Sequence, residues 1–174
     1  MTTITAYPEM MIGVIDGITA LVKAGQDEAI SIINAQHRAR VPPAILTPYR
    51  KFFYSEKYEG YTAPVLYVLG GKTLMNAGAQ QFLDQTHEVH CISLVEDRDE
   101  ETLTRLCYLY PVLLHALLNQ QSVVAPTTGG VFTLRLTDVE YAPIISMTSP
   151  DRRVFRKDAT ALFAVEHQES WSTP

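Results

Sequence analysis

Basic residues are in short supply: 14 Lys and Arg stand against 19 Asp and Glu, a net charge of −5 over 174 residues. Nucleic-acid binders draw much of their affinity from neutralising phosphates, so the balance argues against a dedicated DNA or RNA binder. It permits a surface past which DNA slides. Cysteine is scarce as well. Cys91 and Cys107 offer neither zinc-ligand spacing nor a disulfide framework, and each falls in an apolar run, the setting of a buried free thiol. No apolar stretch approaches the ~20 residues of a membrane span. Met1 to Pro8 lacks the basic and apolar regions of a signal peptide. The expectation is a chain made in the cytoplasm, without membrane contact. Repeats and low-complexity segments are absent too, which excludes solenoids and linkers.

Apolar residues are plentiful, at 47% of the chain, and a chain of this length folds as one domain with a sizeable core. Met11, Val14, Ile15, Ile18 and Val22 fall on one face of a helix that follows Tyr7-Pro8. Gly13 and Gly17, four apart, suit close backbone packing. Gly25 is expected to close this helix, and Asp27 to cap a second one carrying Ile30, Ile33 and His37. Residues 44–63 read as a long irregular connection. Strands are expected at Val65 to Leu69, ended by a Gly70-Gly71 turn, at His87 to Val95, at Val131 to Tyr141 and at Phe155 to His167. Between the second and third of these, Asp97 or Asp99 caps a helix striped with Leu103, Leu106, Tyr110, Leu113, Leu114 and Leu117, which Pro111 should kink or divide. Ala142 to Arg153 reads as an exposed loop. Segregated helices and consecutive strand pairs predict an α+β fold, a largely antiparallel four-stranded sheet packed with helices, in a single domain over residues 1–174.

Few residues point to chemistry. Gly70-Gly71-Lys72-Thr73 ends like a phosphate-binding loop, but Leu66 occupies the position of the required first glycine. His87 and His90, three apart on a strand, point to opposite faces and would not share a metal ion. His115 reads as a buried histidine, and His37 and His167 lie near element ends. The carboxylates Asp97, Asp99, Glu100 and Glu101 fit a helix start. No nucleophile stands in a triad context. The expectation is no catalytic residue, no metal and no cofactor, hence a protein that is not an enzyme. Contact residues are easier to nominate. The connection holds Tyr49, Phe52, Phe53, Tyr54, Tyr58 and Tyr61. Three readings stand: a cover for the core edge, an arm packed on a neighbouring subunit, or a stacking platform for single strands. Asp151, Arg152 and Arg153 in the polar loop complete the candidate contacts.

One pattern resembles a known family. The strand Glu88 to Glu96 runs into the acidic-capped helix Asp97 to Leu106. A later strand ends Leu136-Thr-Asp-Val-Glu-Tyr-Ala-Pro143, and charged residues open the last one, Arg156-Lys-Asp-Ala-Thr-Ala-Leu-Phe-Ala-Val-Glu166. With Ala63-Pro-Val-Leu-Tyr-Val68, this is similar to the tail terminator and head–tail joining (neck) proteins of tailed bacteriophages, over about residues 60–169. The resemblance implies a structural virion protein, made in the host cytoplasm. It would form a ring of six copies at the head-proximal end of the tail, ending tube growth and joining tail to head. Its implied partners are further copies of itself, the tail tube protein, the head connector protein and DNA passing through the lumen without specific binding. Six copies at −5 each carry about −30, a charge that would repel DNA from an acidic lumen. Ring closure needs two different patches on each subunit. The alternatives are a head–tail connector or another tail ring component, and, from a different class, a small metal-dependent or ligand-binding α+β enzyme using the His87/His90 region.

Overall fold

A computed structural model describes residues 6–37, 44–54, 63–75, 85–124, 131–149 and 152–168. The N-terminal apolar stripe forms a helix, α1 (Ala6–His37), with Met11, Val14, Ile18 and Val22 buried. It does not stop at Gly25. Helical glycine costs about 1 kcal/mol relative to alanine, and here the missing side chain leaves room for Leu117, whose Cδ2 would stand 2.8 Å from a Cβ at Gly25 and would have to shift. The two expected N-terminal helices are therefore one, and Ile30 and Ile33 extend its buried face.

The second helix, α2 (Glu100–Leu118), is capped by Asp99, which accepts a hydrogen bond from the Thr102 N–H at 2.7 Å. Asp97 accepts from the Asp99 N–H instead, so the cap lies two residues later than the Asp97–Glu100 spacing suggests. Pro111 lies inside α2 without dividing it. The lost turn costs about 3 kcal/mol, but Leu109, Tyr110, Leu113 and Leu114 are all buried around it, each side chain contributing roughly 1.5–3 kcal/mol. Burial wins.

Among the described residues, seven strands form one sheet: β1 (Lys51–Phe53), β2 (Val65–Met75), β3 (Gln85–Asp97), β4 (Ser122–Val124), β5 (Val131–Tyr141), β6 (Ile145–Ser149) and β7 (Arg152–Gln168). Their order is β1-β2-β3-β7-β5-β4, with β6 also paired to β7. The fold is α+β as expected, but instead of the expected largely antiparallel four-stranded sheet it has a mixed one of seven strands among the described residues, in which β1 runs parallel to β2 and the other pairs are antiparallel. The four strands read from sequence are the long ones. The three that were missed, β1, β4 and β6, have 3 to 5 residues, too short for alternation to register. β2 also continues through Gly70-Gly71 as a bulge and not a turn. A Cβ at Gly71 would overlap the His90 ring.

Both helices cover one side of the sheet. Leu66, Val68, Val89, Cys91, Val95, Leu134, Ala159, Ala161, Phe163 and Val165 point into this core. On the far side Val65, Tyr67 and Leu94 make a second apolar cluster, flanked by Phe53, Leu69 and Ile92. The predicted two faces of β3 are thus both observed, Cys91 and Ser93 on one and Ile92 and Leu94 on the other. On β5 the alternation Phe132, Leu134, Leu136 ends at a bulge between Leu136 and Asp138. Thr137 there donates its hydroxyl to the Leu162 carbonyl at 3.0 Å.

α1 meets the opposite sheet edge at Gly17, where a Cβ would overlap Val123 Cγ1 of β4. Valine is stiff at χ1, so it cannot swing clear. Gly17→Ala gains about 1 kcal/mol of helix propensity but overpacks at roughly 1–3 kcal/mol. Chemical denaturation should show a net loss of about 1 kcal/mol. Val123→Ala in the same chain should restore some of it, and equal, additive losses would show that the helix and strand do not press on one another.

Candidate functional site

The aromatic connection is held on its own subunit. Asn34 of α1 clamps Leu46 twice, donating to its carbonyl at 2.9 Å and accepting from its N–H at 2.8 Å. Gln26 accepts from the Tyr49 N–H at 2.9 Å, and the Tyr110 hydroxyl donates to the Thr47 carbonyl at 2.9 Å. Tyr49 is 3% exposed. Its hydroxyl shares a 2.7 Å hydrogen bond with Ser93, and burial raises its pKa well above the usual phenol value despite that bond. Tyr49 is thus an internal anchor, with no surface left for another subunit. Phe52 packs edge-on against it beneath the Lys23 ammonium, and Phe53 stacks on Tyr67 at 5.2 Å. Tyr54, 55% exposed, keeps an open surface. Tyr58 and Tyr61 lie outside the described residues.

The polar segment after Tyr141 is not a loop. Its residues Ile145–Ser149 form β6, antiparallel to the start of β7. β7 pairs with β3 from Val165 back to Phe155 and with β6 from Arg156 to Arg152, on its other edge. Beyond Phe155 the β3-side edge of β7 has no strand partner among the described residues, and neither has the outer edge of β6. The two strands therefore leave the sheet as a narrow ribbon. Ile145 is 55% and Met147 40% exposed, on the face that also carries Val154 by register. Arg153 is exposed and lies over the Phe155 ring at 4.9 Å. Arg152 pairs by its backbone with Ser149, and Asp151 is outside the described residues. Sequence reasoning placed this segment at the surface but missed Ile145 and Met147, whose alternation with Ser146 was the available signal.

The base of the ribbon holds a buried polar irregularity. Asp158 pairs with Leu94 across the sheet, and its backbone carbonyl accepts from the Ala142 N–H. Its Oδ1 is buried without a hydrogen-bond partner. Burial raises its pKa, and Arg156 opposes the rise. Arg156 itself is ion-paired with Glu96. Beside this base Tyr141 meets Tyr108 of α2 edge to face at 4.9 Å. Tyr108 and Val112 are 50% and 48% exposed, and Glu101 and Arg105 pair along the same helical stripe at 2.7 Å.

Other groups are placed without forming a reaction centre. Cys91 and Cys107 are buried free thiols, both pushed by burial to about 12. His87 is buried, and burial lowers its pKa, whereas His90 hydrogen-bonds Glu88 two positions away on the other face. His115 is exposed and contacts Asn119 at 3.1 Å, contrary to the buried position expected of it. No group of three or more metal-ligating side chains occurs among the described residues. A hollow of about 420 Å³ beside Glu100, Glu101, Thr104 and Arg105 is lined by α2 alone among them. No helix among them is long and apolar enough to cross a membrane.

No protein-family model matches the chain, and no curated protein matches it. Among solved structures, one whose title states no function is 14% identical, covering 87% of this chain and 98% of its own, with a TM-score of 0.38. Another, titled as the virion of a native gene transfer agent particle, is 15% identical, covering 77% of this chain and 91% of its own, with a TM-score of 0.32.

The partnerless carboxylate has a measurable cost. Asp158→Thr should stabilise the isolated chain at neutral pH by about 1 kcal/mol, the scale of an unmet buried polar group. The raised folded pKa means the native acid is disfavoured as a carboxylate and relieved on protonation, so the advantage should shrink as pH falls through the acid range. Denaturation midpoints at pH 7 and below pH 4 test this; a gain independent of pH would refute the burial argument.

Proposed function

We infer that the chain is a structural assembly protein and not an enzyme: a ring-forming component of a phage tail at its head-proximal end, which ends tube growth and joins tail to head. The observation that carries the assembly reading is the β6–β7 ribbon. It projects past the end of β3, exposes Ile145 and Met147, and offers backbone edges without strand partners among the described residues. Exposed strand edges are ordinarily shortened, charged or covered, because they invite pairing with another chain. The outer stripe of α2, with Tyr108 and Val112 exposed, supplies a second and different patch, as a closed ring requires. The virion assignment rests on the element pattern from Ala63 to Glu166 that resembles tail terminator and neck proteins. The net charge of −5 suits a ring through which DNA passes without binding; a mapped channel lining that is basic would refute that point.

Electron microscopy of particles assembled without this chain tests the role. Overlong tubes lacking heads are the result expected of a terminator. Tails of normal length beside filled, unattached heads would reassign it to head–tail joining. Normal infectious virions would overturn the structural reading.

A further inference from the structure

We propose that the ribbons of adjacent copies pair edge to edge, the outer edge of β6 on one copy against residues 152–154 of β7 on the next, so that ribbons side by side close into one continuous antiparallel sheet. The proposal deepens the assembly reading and rests on it.

Three observations carry the inference. First, the two edges without strand partners lie on opposite sides of one ribbon: β3 leaves β7 at Phe155, while β6 occupies the other edge down to Arg152. A single copy thus presents one donor edge and one acceptor edge, the two unlike patches of a heterologous contact. Second, strand direction matches without adjustment. Copies related by rotation about a ring axis keep the component of β6 along that axis the same, so with the ribbon lying along the axis β6 points one way in all of them. Since β6 is antiparallel to β7 within a copy, β7 of one copy is antiparallel to β6 of the next. Third, the chemistry of the edge fits a protein partner of this kind. Ile-Ser-Met-Thr-Ser carries no charge and no proline, so it has none of the devices that protect a free edge. It brings no cation against Arg152 and Arg153 of the neighbour. Alternation along the ribbon sets Ile145, Met147 and Val154 on one face and Ser146, Arg153 and Phe155 on the other. Arg156 shares the first face, opposite Ile145, so the combined sheet would carry apolar side chains beside arginine on that face and a mixed polar and aromatic face on the other.

Cross-linking chains that each carry one introduced cysteine tests the contact. Met147→Cys and Val154→Cys chains are prepared separately, mixed, and treated with a bismaleimide of about 8 Å reach, which spans opposite and diagonal positions on neighbouring strands. Cys91 and Cys107 are buried and remain silent. Both substitutions sit on the ribbon, and circular dichroism confirms that each chain is folded. The expected result is a covalent dimer in the mixture and none from either chain alone. Dimers from Met147→Cys alone would mean that ribbons pair back to back, overturning the proposal. Rings seen by electron microscopy without the mixed cross-link would overturn the edge contact and leave the assembly reading standing. A chain that stays monomeric to its solubility limit and gives no cross-link would overturn both.

Discussion

The close approach of α2 to β7 is the contact on which the remaining structure depends. β7 is paired along both edges for most of its length, with β3 on one side and β5 then β6 on the other. Its helix-facing residues begin with Ala159 and Ala161, both wholly buried, and only then widen to Phe163 and Val165. The small pair lets α2 come near enough for Cys107 Sγ to lie 3.6 Å from the Lys157 carbonyl. A larger residue at either alanine would lift the helix, and with it Leu103, Leu113 and Leu114, from the sheet, because interiors at this density have no slack to absorb it. Gly25 and Gly17 of α1 do the same for the outer helix, admitting Leu117 and Val123.

Bulges decide which side chains the sheet delivers to each face. The extra residue at Thr137 shifts β5 by one, so that Val139 and Tyr141 take up the helix-facing side previously held by Leu134 and Leu136. Without that shift Tyr141 would face away from α2 and could not meet Tyr108. A bulged strand also bends and twists more. It is at the end of this strand that the chain turns into β6 and the ribbon departs.

The chain separates holding from contacting. The aromatic connection uses side-chain bonds from Asn34, Gln26 and Tyr110 to fasten its backbone to the helices. The ribbon is tied at its base by Phe155 against the core and by Arg156 paired with Glu96, and it leaves Ile145 and Met147 exposed. Asp158, partly buried at its base with one oxygen lacking a partner, is a place where the fold gives up stability.

Periodicity alone was enough for the long elements. The 3.6-residue stripe of Met11 to Val22, the alternation of β5 and the alanine-to-valine face of β7 each repeat often enough to identify the element and its buried side, and the buried thiols follow from their apolar runs. The fate of Gly25 and of Gly70-Gly71 was not legible, because a glycine that ends an element and one that admits a neighbour look alike until Leu117 or His90 is in place. The strands β1, β4 and β6 were hidden for the same reason: three to five residues acquire strand geometry from the ladder beside them and not from their own pattern. Tyr49 was visible as an aromatic, but whether it faced a core or a partner depended on Gln26, Ser93 and Tyr110, distant in the chain. The long strands, the α2 helix and their apolar faces were legible in the sequence, since those depend on neighbours a few residues away. The tertiary structure alone decided which edges remain open and which aromatics stay exposed, since those depend on what packs alongside.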